Sequence, residues 1–171
     1  ANFPSLAEYV ADTKTIRAGI MKTHQCSKDI AKGLPIRIMF GGTYDGWLQQ
    51  NNIGDGLKIE LIESLETEMK MIIDLVYMAN KDTITAQVKK HDKDKWKDEA
   101  DEKRGTMALW AQSVERLLQE TAIQWLVNEK QMKLEDIVPC QDGFMIWKDL
   151  YYDGIENDIK QVNIDRWGMC L

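Results

Sequence analysis

The chain has 171 residues and 19.7 kDa, with 44% hydrophobic and 29% charged residues and a net charge of −6. This composition excludes a disordered polyelectrolyte and leaves enough apolar material for a buried core. It also excludes a protein that coats nucleic acid by bulk charge, although a focused basic site is still allowed because charge acts within roughly a 10 Å Debye length.

No apolar run approaches the ~20 residues of a membrane span, and no signal peptide opens the sequence, so the expected setting is soluble and cytoplasmic with no membrane partner. Cys26, Cys140 and Cys170 are too scattered for a disulfide framework and suggest a reducing compartment. The first residue is Ala, which fits a segment of a larger protein or removal of an initiator Met.

In chain order, Leu6, Tyr9, Val10, Thr13, Ile16 and Ile20 follow helical spacing. Ser27 is placed to cap a second helix from Lys28, which Pro35 is expected to kink. A loop or helix break follows at "GGTYDGW" and a turn cluster at "NNIGDG". From Leu57 to about Ala79, Leu61, Ile62, Leu65, Met69, Ile72, Ile73 and Val76 share one face of a long helix. The charged run "KKHDKDKWKDEADEKR" reads as a solvated helix end or linker and includes His91. A second long helix is predicted from about Thr106 to Glu129, with Met107, Trp110, Val114, Leu117, Leu118, Thr121 and Trp125 inward. "DIVPCQDGFMIWKD" then gives two short strands around Asp142-Gly143, followed by a short helix. The fold class is α+β, mainly α, with helices around one small hairpin.

Three constellations carry chemistry. Lys28, Lys32, Ile36 and Phe40 recur every four residues and form one helical stripe about 18 Å long. Two ammonium groups near a helix N-terminus suit phosphates, the aromatic ring suits a base or sugar, and Gly41-Gly42 permit close approach. The same stretch also reads as a surface helix with two solvated lysines and a buried Phe. Arg104, Ala108 and Gln112 share a face of the later helix and suit phosphate and base-edge contacts, as many exposed faces would. Asp142, at a hairpin tip, is a rigid position for a hard cation, or simply good turn chemistry. A zinc site from His24, Cys26, Cys140 and Cys170 lacks paired ligand spacing.

Together these motifs resemble family A DNA polymerases and single-subunit RNA polymerases, in a divergent phage or plasmid replicase branch. Lys28, Lys32, Ile36, Phe40 and Gly41 match the O-helix pattern, Arg104 and Gln112 match an Arg and Gln eight residues apart, and Gln141-Asp142-Gly143 match the motif C hairpin. The resemblance covers about residues 3 to 148. It implies a fingers-like part over about 1–103 and a palm-like part with the hairpin over about 104–171.

The implied activity is template-directed nucleotidyl transfer, as in a DNA-directed DNA polymerase, with RNA as the alternative product. The implied partners are primer and template, nucleoside triphosphates and the rest of a parent polypeptide. Lys28 and Lys32 would hold nucleotide phosphates, Phe40 would stack near the nascent base pair with Ile36 beside it, and Gly41 would leave room for the template base. Arg104, Gln112 and Gln141 would touch nucleic acid. Asp142 would be the catalytic ligand of one of two Mg²⁺ ions, with a further ligand set outside this chain.

Several positions depart from the family pattern. Phe40 stands where Tyr is usual, Gln141 replaces a common His, and Gly143 removes a second carboxylate. The Asp of motif A is missing from these residues, so this segment alone is expected to be inactive. The alternative class is a catalytically inactive polymerase-derived or helical interaction module that binds nucleic acid or a protein.

Overall fold

A computed structural model of the chain describes residues 2–54, 57–86, 98–140 and 143–168. The protein is mainly helical with one two-stranded antiparallel sheet, as the hydrophobic periodicities predict. It divides into two compact units, residues 1–109 and 110–171. None of the helices among the described residues is long and apolar enough to cross a membrane.

The first unit opens with α1 (Pro4–Ala11) and α2 (Thr13–His24), where the sequence spacing predicts one continuous helix. Asp12 makes the break. It leaves helical geometry and its carboxylate accepts the Thr15 backbone N–H at 3.0 Å, starting a new helix. The break changes the direction of the stripe, so Val10 is exposed rather than inward. Gln25 ends α2 in the left-handed region.

Ser27 caps α3 (Lys28–Met39) as predicted, through the Ile30 N–H. The helix carries on through Pro35, which lies buried beside Ala31, Leu34 and Ile38. A further helix, α4 (Tyr44–Gln50), replaces the predicted loop, because Thr43 supplies an N-cap to Gly46 while Tyr44, Trp47 and Leu48 insert into the core. Helix α5 (Glu60–Ala79) buries Ile62, Leu65, Met69, Ile73 and Val76 on the predicted face. Each fully buried Leu or Ile contributes about 1.5–3 kcal/mol, against roughly 0–1 for an exposed ion pair, so this apolar face sets the unit.

Helix α6 (Glu99–Glu129) starts earlier than the apolar period indicates. Its first turns come from the charged run, which is thus a helix end rather than a linker over residues 99–104. They are tied down by Lys103 to Asp74 at 2.8 Å and by the Tyr77 hydroxyl donating to Glu102 at 3.0 Å. A buried hydroxyl pair, Thr85 and Thr106 at 2.9 Å, adds a further tie. His91 and the rest of 87–97 lie outside the described residues.

In the second unit the later turns of α6 pack on the hairpin β1 (Ile137–Cys140) and β2 (Gly143–Ile146) and on α7 (Ile155–Trp167). Ile137 faces Ile146 and Cys140 faces Gly143. Leu126, Met132, Ile137 and Ile155 form its core, with Trp125 and Phe144 against it.

Candidate nucleotide and nucleic-acid site

Lys28, Lys32, Ile36 and Phe40 are all exposed, so the four-residue stripe faces solvent, with its apolar end at Ile36 (43% exposed) and Phe40 (41%). The opposite side of α3 holds the helix in place: Ala31, Leu34, Pro35 and Ile38 are buried. Among the described residues neither lysine enters an ion pair. Both ammonium groups therefore present full charge to water.

The stripe ends at a constrained corner. Gly41 has φ +79°, a conformation that side chains with a Cβ adopt rarely. A Cβ there would stand 2.8 Å from Cγ of Arg104 and 3.4 Å from Cδ1 of Ile73. The space left by the missing side chain is thus filled by the stem of Arg104. The structure brings two of the sequence-identified residues together, the glycine of the aromatic-Gly pair and the arginine of the later helix. The Arg104 guanidinium is half exposed and paired with Asp101 on its own helix.

Gly42 is small for a different reason, since a Cβ would run into the side chain and carbonyl of Arg37. Arg37 crosses beneath the loop, donates from Nη1 to Oε1 of Gln50, and keeps its Nε buried. Between α3 and α4 this leaves a groove of about 490 Å³ lined by Ile36, Arg37, Trp47, Gln50 and Asn51.

The corner is braced by residues that no motif pointed to. His24 Nε2 and the Tyr44 hydroxyl lie 2.6 Å apart and buried, with Trp47 edge-on to both rings. Burial lowers the His24 pKa below its ordinary value and raises that of Tyr44. The Tyr44 N–H donates to Glu66 at 2.9 Å, and the Trp47 indole donates to the Ile30 carbonyl at 3.1 Å. Tyr44 and Trp47 are aromatics of a stretch that reads as a loop, so only their spacing could have marked a helix.

In the second unit Gln112 is exposed on α6. Gln141 and Asp142 lie outside the described residues, as does Cys170. Their frame is described, however. The Gln119 amide donates to the Cys140 carbonyl at 2.9 Å and to that of Gly143, clamping the facing ends of β1 and β2. Gln119 carries no motif and was not legible as a site residue.

Cys26 and Cys140 are free thiols, and burial raises the Cys26 pKa. Among the described residues no three His, Cys, Asp or Glu side chains come together as a metal site, so no donor set for the expected Mg²⁺ is present there. Comparison of the chain with protein-family models, with curated proteins and with solved structures gave no match.

Proposed function

We propose that this chain is the nucleotide-binding and strand-binding part of a template-directed nucleotidyltransferase, a divergent family A-like polymerase working in nucleic acid replication. The observation that carries the reading is the continuity of the Lys28–Lys32–Ile36–Phe40 stripe with the Gly41–Arg104 contact. In this reading Lys28 and Lys32 draw the triphosphate to α3 by charge, with partial screening because both are exposed. Phe40 offers a flat apolar surface to the base, and Ile36 shields the sugar end from water. Arg104 exchanges its Asp101 partner for a backbone phosphate, a stronger bidentate acceptor. In this reading Asp142 is a Mg²⁺ ligand, with further ligands from the parent polypeptide.

The test is binding of a fluorescent nucleoside triphosphate to the 171-residue chain. Lys32→Ala is expected to weaken it about 5–20-fold, and Lys28→Ala less. An unchanged affinity in the Lys28→Ala/Lys32→Ala double variant would refute the phosphate assignment.

A second reading, a non-catalytic module that docks a protein partner, is favoured by one observation. The outer face of the hairpin exposes the paired residues Val138 (52%) and Met145 (60%), with Trp147 (67%) next in alternation. Triphosphate binding that depends on Lys32 separates the two readings.

A further inference from the structure

The first unit concentrates positive charge in a way that the α3 stripe does not exhaust. Residues 12–40 hold Lys14, Arg17, Lys22, Lys28, Lys32 and Arg37 against only Asp12 and Asp29, inside a chain of net charge −6. Asp12 is already engaged as the cap of α2, where the Thr15 hydrogen bonds hold its carboxyl below the ordinary value. Four cations further along the chain are paired. Lys58, Lys70, Lys103 and Arg104 are each neutralised by a carboxylate within 2.5–2.8 Å. Lys14 and Lys22 have no such partner among the described residues.

Helix α2 also has an unusual outer surface. Ile20 and His24 are buried, while Lys14, Thr15, Ala18, Gly19, Lys22 and Thr23 form the exposed half. Lys14, Ala18 and Lys22 stand at four-residue steps, with the two lysines about 12 Å apart along the axis. That span corresponds to some three to four phosphates of a strand at 3.4 Å each. Between them only small groups rise above the backbone, and at Gly19 nothing lies within 4 Å of where a Cβ would be.

We propose that this outer face of α2 is a contact surface for the phosphodiester backbone of a nucleic acid strand, extending the cationic stripe of α3. Lys14 and Lys22 neutralise phosphates, Ala18 and Gly19 let the strand lie close to the helix, and the Thr15 and Thr23 hydroxyls add neutral hydrogen bonds. The surface is independent of sequence, since it presents cations and no base-reading fork. An anionic membrane is the poorer partner, because this half of α2 exposes no large apolar side chain to insert between lipids. The identity of the strand as primer or template rests on the polymerase reading, whereas the charge argument does not.

The experiment is fluorescence anisotropy of a labelled 20-nucleotide single-stranded DNA with the 171-residue chain over a salt series. Lys14→Gln/Lys22→Gln is expected to weaken binding about 5–20-fold at ~50 mM salt, and to reduce the log–log salt slope by about 1.4, or 0.7 per cation. Lys14→Arg/Lys22→Arg, which keeps both charges, should bind as the unsubstituted chain does, and circular dichroism checks that both variants fold.

Unchanged affinity and slope in the Gln variant, or no DNA binding by the unsubstituted chain, overturns the inference. So does loss of binding to phosphatidylserine vesicles with DNA binding intact. Triphosphate binding to Lys28→Ala/Lys32→Ala is read in parallel. If that is unchanged while the α2 variant loses DNA, the polymerase reading fails and the strand surface stands.

Discussion

The stem of Arg104 lies across Gly41, 2.8 Å from where a Cβ would project, so two residues far apart in the chain share one packed corner. Gly41→Ala should therefore be costly on two counts, the positive φ and the collision. The expected loss is about 2–3 kcal/mol. Gly19→Ala, in the open interior of α2, should instead stabilise by about 0.5–1 kcal/mol. Urea denaturation of both variants gives the comparison, and equal effects would contradict the packing account.

Glu68 holds the start of α1. Its carboxylate accepts the backbone N–H groups of Ser5 and Leu6, each at 2.9 Å, where α1 has no side-chain cap of its own. Burial alone would raise its pKa, but these donors outweigh burial and hold the carboxyl below its ordinary 4.5. A pKa depressed on folding adds stability that is complete above 4.5 and is lost as pH falls through the folded value. Glu68→Gln is thus expected to destabilise by about 1–2 kcal/mol at pH 7, with the gap closing below pH 4.5. Thermal melts at pH 7 and at acid pH check this, and a gap that widens in acid would contradict it.

His24 makes a separate prediction with the same sign. Burial lowers its pKa below the ordinary 6.5, so the folded state prefers the neutral ring. Stability should be complete above pH 6.5 and decline as pH falls towards the folded value. His24→Gln should flatten that part of the pH profile. Tyr44→Phe removes the hydroxyl that meets both His24 and the Ile59 N–H, and is expected to cost about 1–2 kcal/mol.

Gln119 ties the facing ends of β1 and β2 to α6. Gln119→Leu keeps much of the side-chain volume but leaves the Cys140 and Gly143 carbonyls without this donor. The expected loss is about 1–2 kcal/mol, with faster amide hydrogen exchange across β1 and β2 than in α7. Unchanged exchange across β1 and β2 would contradict the clamp.

The sequence alone determined the local features: the cap at Ser27, the apolar face of α5, a two-stranded hairpin after the last long helix, and the solvent-facing stripe of Lys28, Lys32, Ile36 and Phe40. These follow from periodicity and short-range hydrogen bonding, which a sequence displays directly. Tertiary structure alone decided which of the two readings of residues 99–104, helix end or linker, holds, that Tyr44 and Trp47 make α4 a core element, and that Gly41 meets Arg104. It also assigned Glu68 to α1 and Gln119 to the hairpin. Each of these depends on partners distant in the chain, and a polar residue's partner leaves no periodic trace, whereas a buried apolar face does.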